Sequence, residues 1–185
     1  MRATTRTQAD AGFSLSDLMM TVAVMATMFA MAVPAAKDAV DGMRLSMASR
    51  EVERELQTAR LKAVSANRPM RVRLNCPAVG QLRVVEVTGV ATTDMAGNRC
   101  DENVYPFPGP KDSDRTTPEH DGPLRRLHFS IAISGQQLHF SPNGVTQQVV
   151  SGVPQPLTAD ATITITKGAT SKTVTVNALG KIRLN

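Results

Sequence analysis

The chain has 185 residues, which is enough for one globular domain with an extension. It is basic, with 21 Lys and Arg against 16 Asp and Glu, so its charge is compatible with contact to nucleic acid or anionic lipid but does not require either. Trp is absent and there are only one Tyr and five Phe, which disfavours sugar-stacking proteins and aromatic single-strand binders.

A polar segment with two arginines precedes a long apolar block at the N-terminus. Residues 18–33 hold no charged side chain, and the block is close to the minimum length that spans a bilayer. A secretory signal peptide has a similar pattern, but no small-x-small cleavage site follows the block and Asp17 lies near its beginning. These two features distinguish the block from an ordinary secretory signal.

The GFSLSD sequence at residues 12–17 resembles the type IV prepilin signature, in which a leader ends in Gly and a Phe usually follows. The resemblance implies that residues 1–12 are a leader peptide, which a prepilin peptidase removes after Gly12. It also implies that Phe13 becomes N-methylated, and that the helix over 13–36 serves both as membrane anchor and as polymerisation stem.

The fifth mature position of this signature is usually Glu, and here it is Asp17. A carboxylate at the lipid end of a helix needs a cationic partner. The resemblance implies that this partner is the amine of Phe13, in a neighbouring subunit or in the same chain, and that both residues belong to the assembly contact. A local alternative is that Ser14 and Asp17 cap the helix in an S-x-x-D variant of the capping box.

Residues 37–68 are predicted to form the amphipathic half of the stem helix. Apolar residues recur there at three- and four-residue spacing, which indicates one buried helix face. The repeating positions are Leu45, Ala48, Val52, Leu56, Ala59 and Ala63. The other face carries charges of both signs and is typical of a solvated surface. We expect one helix over 14–66, with a bend at Pro34.

Alternating patterns after Pro69 predict a β-rich head over residues 69–185. The predicted strands are 70–74, 82–87, 127–133, 137–140, 161–167 and 172–176. The fold class is therefore α+β, with a long N-terminal helix packed on a small, mainly antiparallel sheet.

The tetrapeptide LHFS occurs at 127–130 and again at 138–141. A two-residue turn at Ser134 and Gly135 would make these segments a hairpin with Phe129 opposite Phe140. His128 and His139 would be diagonal neighbours on the other face. No Cys, Asp or Glu stands at ligand spacing from them, so no metal site is predicted.

The cysteines Cys76 and Cys100 both lie in polar, turn-rich sequence of the head. An even count in an exported domain favours a disulfide between them, while two free thiols in a cytosolic domain are the alternative. Residues 101–123 contain five prolines and are predicted to be an exposed loop.

The head also resembles the GspH/FimT branch of minor pilins and pseudopilins. The residues that carry this resemblance are FSPNG at 140–144 and ALGKIRL at 178–184. It implies a minor pseudopilin of a type II secretion system, which helps to form the tip of a short periplasmic filament that drives protein export. The implied location is the bacterial inner membrane, crossed once, with a cytoplasmic N-terminus and a periplasmic head. The implied partners are other pseudopilins or pilins, the prepilin peptidase, the inner membrane and exoprotein cargo.

The alternative is a FimT-like minor pilin that acts in pilus priming and DNA uptake. Some members of that branch bind DNA through a C-terminal G-R-x-R motif, and this chain has GKIR at 180–183. Lys181 and Arg183 would share one strand face and contact successive phosphates. Two exposed cations at a chain end that only aid solubility are the simpler interpretation.

A signal-anchored periplasmic binding domain is a further alternative. No nucleophile elbow, Walker loop, HExxH or CxxC sequence occurs, so neither catalytic residues nor a cofactor are predicted.

Overall fold

The computed structural model describes residues 14–111, 113–114 and 116–185. The chain divides into two units, Met1–Val40 and Asp41–Asn185. Helix α1, Leu15–Ser65, runs through the boundary between them and has Pro34 inside it. Within the second unit, the part of α1 after Val40 packs on two antiparallel sheets. The predicted fold class is therefore confirmed.

The first sheet has six strands in the order β3-β2-β1-β5-β6-β7. Its strands are β1 Met70–Leu74, β2 Gln81–Glu86, β3 Arg125–Arg126, β5 Leu138–Phe140, β6 Thr146–Val150 and β7 Val153–Pro156. The second sheet has four strands in the order β10-β9-β8-β4. These are β4 Ala132–Gly135, β8 Ala161–Lys167, β9 Thr170–Val176 and β10 Ile182–Leu184. A short helix, α2 Ala91–Asp94, follows β2.

The core lies between α1 and the inner faces of the two sheets. The predicted apolar face of α1 is buried, including Val52, Leu56 and Ala59, which have no accessible surface. Alternation along β1 turns Met70 and Val72 toward this core. β8 and β9 supply further β-branched side chains from the second sheet, as their period-two sequences predict.

The predicted hairpin between the two LHFS segments is wrong. Residues 127–131 contain no strand, and β4 pairs with β8 in the second sheet, with Ile133 opposite Ile165. β5 instead pairs with β1 and β6 in the first sheet. Phe129 is 93% exposed whereas Phe140 is fully buried, so these two side chains do not face each other. A local turn signal at Ser134 and Gly135 was outweighed by longer-range packing of β4 on β8.

The histidine arrangement that depended on this hairpin is wrong as well. His139 is buried on β5 and stands opposite Arg71 of β1. His128 lies in a loop, where its Nδ1 is 3.1 Å from the hydroxyl of Ser130. Throughout the described ranges, no group of three or more His, Cys, Asp or Glu side chains has an arrangement that could hold a metal ion.

Candidate functional site

The N-terminal end of α1 holds Asp17 in its first turn. The amide of Asp17 donates to the carbonyl of Ser14 at 3.1 Å, and the Ser14 hydroxyl is 2.8 Å from that of Ser16. The Ser14 hydroxyl thus has a different partner from the one that a capping box requires. A carboxylate in the first turn is still favoured by the helix dipole. Gly12 and Phe13, the predicted cleavage and methylation positions, lie outside the described residues.

The first part of α1 presents an apolar surface on every side. All residues from Leu15 to Val40 are exposed, and the large apolar side chains include Met25, Phe29 and Met31. Among the helices of the described chain, α1 is long and apolar enough to cross a membrane. Exposed apolar surface of this extent is unusual on a soluble monomer and indicates burial in lipid or against other protein.

The second part of α1 is tied to the first sheet by charge as well as by apolar packing. Glu55 is almost fully buried and accepts a hydrogen bond of 2.7 Å from Nε of Arg125, which lies on β3. Arg125 also lies 3.5 Å from Glu51, one helix turn away. A buried carboxylate with a charged, hydrogen-bonded partner avoids the large cost of an isolated buried charge. This contact fixes the helix over the sheet.

Two cations near the C-terminus are exposed, one just before strand β10 and one on it. Lys181 and Arg183 are exposed, whereas Ile182 and Leu184 are half-buried, so exposure alternates along residues 181–184. The turn before the strand requires glycine, because Gly180 has a φ of 76° and a Cβ there would approach the carbonyl oxygen of Gly144 to 2.7 Å.

Arg60 of α1 holds this turn in place. Its guanidinium donates to the carbonyls of Gly144 and Leu179 at 3.3 and 3.2 Å. Arg60 and Lys181 line the same pocket, so Arg60 is a further cation close to Lys181. The sequence motif did not reveal Arg60, because it is more than a hundred residues away along the chain.

Cys76 and Cys100 form a disulfide with a Cα–Cα distance of 5.6 Å. Next to the bridge lies a buried ionic cluster that sequence reasoning missed. The carboxylate of Asp121 accepts hydrogen bonds from both terminal nitrogens of Arg99, and it lies 3.8 Å from Arg83. No signal in the sequence identified this cluster, because charged residues in a proline-rich segment are usually exposed.

The segment 101–123 was predicted to be an exposed loop, and this is correct only for part of it. Val104, Phe107 and Lys111 are exposed, but Asp121 and Gly122 are buried against β2. The amide of Gly122 donates to the carbonyl of Val84 at 2.8 Å, which anchors the end of the segment along the strand edge.

Together these features define a class. A helix with an exposed apolar first part and a second part packed on two antiparallel sheets, stapled by one disulfide, describes a pilin-like protein with a membrane-anchoring helix. The family model for type II transport protein GspH matches residues 48–180. The chain belongs to the GspH family, and the predicted resemblance is confirmed.

Several solved structures are similar to this chain. One is the type IV minor pilin FimU of Pseudomonas aeruginosa strain PAO1, which is 16% identical, with 76% of this chain and 87% of that chain covered and a TM-score of 0.46. Another is the minor pseudopilin EpsH from the type 2 secretion system of Vibrio cholerae, which is 10% identical, with 77% and 95% covered and a TM-score of 0.47. No curated protein sequence matches the chain.

Proposed function

We propose that this chain is a minor pseudopilin of a type II secretion system, which assembles at the tip of a short periplasmic filament that drives protein export. The observation that carries the proposal is the exposed apolar part of α1, beginning at Leu15, beside a unit that buries a core of its own. Such a helix is held by lipid before assembly and by other pseudopilins after it. Membership of the GspH family supports the same role.

Processing of the N-terminus follows from this proposal. A prepilin peptidase removes residues 1–12, Phe13 is N-methylated, and the head lies in the periplasm with the N-terminus on the cytoplasmic side. The disulfide between Cys76 and Cys100 supports an oxidising compartment for the head. Mass spectrometry of the protein isolated from membranes tests the processing. We expect a chain that begins with methylated Phe13, whereas an intact Met1 or cleavage after Pro34 would favour a signal-anchored or secreted binding domain.

Asp17 is the residue that we propose for the contact between subunits. Its carboxylate pairs with the amine of Phe13, because an unpaired carboxylate at the lipid end of a helix is strongly disfavoured. Asp17→Ala should then reduce incorporation into filaments while membrane insertion is unchanged, and Asp17→Glu, which keeps the charge, should retain incorporation. Cross-linking to co-produced pseudopilins measures this. Normal incorporation of the alanine variant would remove Asp17 from the mechanism.

The choice of a secretion system over a pilus is tested by deletion and complementation. We expect deletion to abolish release of folded exoproteins and to leave surface pili and twitching unchanged, with secretion restored by the intact chain. Loss of pili with normal secretion would contradict the proposal and support a minor pilin instead.

A second candidate function, DNA uptake by a pilus-type minor pilin, is favoured by one observation. Arg183 is exposed on β10, Lys181 is exposed just before it, and Arg60 lines the same pocket as Lys181, so successive phosphates of one strand could be contacted without base readout. A gel shift with the full chain in detergent compares the Lys181→Gln, Arg183→Gln double variant with a Lys111→Gln, Arg126→Gln control of equal charge. Binding that is lost only in the first variant and weakens with salt supports this function. Equal binding by both refutes it.

A further inference from the structure

One face of the first sheet carries three arginines and a histidine. Since Met70 and Val72 face the core, Arg71 and Arg73 of β1 point to the opposite face. In the strand register, Arg71 stands opposite His139 of β5, and Arg73 stands opposite Arg83 of β2. Like charges directly opposite each other on neighbouring strands destabilise a sheet. We call this set of four side chains the basic face.

The basic face is largely covered by chain that follows β2. Arg83 donates to the carbonyls of Gly122 and Tyr105 at 2.8 and 2.7 Å, and Arg73 donates to that of Ala96 at 3.1 Å. Arg71 is 4% exposed and His139 is 6% exposed, while Arg73 is only half-buried. The cover is therefore incomplete beside Arg73, which keeps solvent-accessible surface.

Carboxylates neutralise only one end of the basic face. Asp121 lies between Arg83 and Arg99, as described above. At the other end, within the ranges that the structure describes, neither Arg71 nor Arg73 has a carboxylate at ion-pair distance. Asp94 is the acid that acts on Arg71 electrostatically, but its oxygens accept hydrogen bonds from the amides of Thr88 and Gly89. Nη2 of Arg71 donates to the carbonyl of Gly152 at 3.0 Å, so both guanidinium groups have a carbonyl partner but, among the residues described, no carboxylate in contact.

Buried nitrogens at this end also lack hydrogen-bond partners. Nε of Arg71 and Nδ1 of His139 are both inaccessible and unbonded. A buried polar group without a partner costs about 1–3 kcal/mol, and more when it is charged. Two such nitrogens on neighbouring strands, with Arg73 next to them also lacking a carboxylate among the described residues, are the features of a site whose ligand supplies negative charge and several acceptor oxygens.

We propose that Arg71, Arg73 and His139 form a binding site for a small tetrahedral oxyanion of the phosphate or sulfate class. Arg73 provides the half-open side through which the ion enters, and Arg71 and His139 provide the buried side. The chemistry favours an oxyanion over chloride, because two guanidinium forks present more donors than a single spherical ion can use. The site is independent of the filament role proposed above.

The pKa of His139 can be used to measure ligand binding within the site. Burial, together with the charge of Arg71, lowers the pKa of His139 to about 4, so the imidazole is neutral near pH 7. Asp94 opposes this shift, and Gln147 of β6, opposite His139, carries no charge. An anion bound beside the ring would favour the imidazolium and raise its pKa.

The test uses the full chain in dodecyl maltoside, a detergent without charge or phosphate. Titration calorimetry with inorganic phosphate at constant ionic strength should show saturable binding, and Arg73→Gln should weaken it at least tenfold. Arg54→Gln removes the same charge from an exposed position on α1 and should leave the affinity unchanged. Glycerol 3-phosphate distinguishes the source of the ligand. Tighter binding of this ester assigns a lipid headgroup, and tighter binding of inorganic phosphate assigns the free ion.

Histidine NMR of the unchanged chain gives a second measurement that does not depend on a variant folding. Saturating phosphate should raise the pKa of His139 and leave that of His128 unaltered. The proposal is overturned if inorganic phosphate shows no saturable binding, if chloride competes equally at equal ionic strength, or if Arg73→Gln and Arg54→Gln bind alike. An unchanged pKa of His139 under saturating phosphate would also overturn it.

Discussion

Substitution of Asp121 is the sharpest test of how the head is held together. Its carboxylate accepts two hydrogen bonds from Arg99, a third from the amide of Glu86 at 2.8 Å, and lies near Arg83. Arg99 and Arg83 have no accessible surface, and Asp121 is 2% exposed. Asp121→Asn keeps the size of the side chain and an acceptor for the Glu86 amide, but it leaves two buried guanidinium groups without their carboxylate.

The expected loss can be stated as a free energy of unfolding. Removal of one partner from a buried ion pair costs about 3–5 kcal/mol. Because the hydrogen bond to the Glu86 amide is retained, the loss of unfolding free energy for Asp121→Asn should lie near the lower end of this range, at about 3 kcal/mol. With a urea slope of about 2 kcal/mol per molar, the unfolding midpoint should fall by about 1.5 M.

Tyr105 makes the assay specific to this region. It is the one Tyr in a chain without Trp, and the guanidinium carbon of Arg99 lies 4.5 Å from the centre of its ring. Urea unfolding of the full chain in detergent, followed by tyrosine fluorescence and by far-UV circular dichroism, reports the cluster and the sheets separately. Asp160→Asn, at an exposed position, is the control and should change stability by less than about 0.5 kcal/mol.

Two outcomes would refute this reasoning. One is an Asp121→Asn variant whose stability is within about 1 kcal/mol of the parent, because that is below the cost of an uncompensated buried charge. The other is strict additivity between Asp121→Asn and Arg99→Met. Residues in direct contact should show a coupling energy of about 0.5–3 kcal/mol, so the double variant should lose less than the sum of the single losses.

Three further predictions concern the core, the disulfide and pH. Leu56→Ala should lower the free energy of unfolding by about 2–5 kcal/mol in urea titrations, because Leu56 is fully buried under the sheets. Replacing Cys76 and Cys100 by Ser should cost about 3–4 kcal/mol in the same assay, since the bridge closes a loop across a separation of 24 residues. The pKa of His139 is lowered to about 4 in the folded chain. As pH falls, this histidine therefore becomes protonated at a higher pH in the unfolded chain than in the folded chain. Stability should therefore decline between about pH 6.5 and 4, by up to about 3 kcal/mol, and His139→Gln should flatten this decline in unfolding measured against pH.

Much of the helical and strand content could be predicted from the sequence. The three- and four-residue spacing around Val52 and Leu56 identified the buried face of α1. In a long segment, apolar residues at helical spacing show which side of the helix packs against the core. β1 and β8 begin and end at the predicted residues, since alternation over five to seven positions is a strong local signal. β6 and β7 were missed. β6 begins TQQ and β7 contains two prolines, so neither resembles an apolar strand.

Pairing between strands was much harder to predict than the strands themselves. The two LHFS segments have the same sequence, yet Phe129 is exposed and Phe140 belongs to the core. A strand of three or four residues carries too little information to choose its partner, so packing over long sequence separations decides it. The same limit hid the contacts of Asp121 and Arg60, whose partners lie tens of residues away or more.

The separate organisation of the two units leads to a last expectation about assembly. Asp41–Asn185 buries its own apolar cluster and its own ionic cluster, whereas the apolar side chains between Leu15 and Val40 are exposed. Head stability and filament incorporation should therefore respond to different substitutions. Asp17→Ala should leave the urea midpoint of the head unchanged while it reduces cross-linking to other subunits. Asp121→Asn should lower that midpoint without blocking leader removal, because the residues at the processing junction are unaltered. If Asp17→Ala also destabilised the head, its assembly defect would have to be attributed to folding and not to a lost contact between subunits.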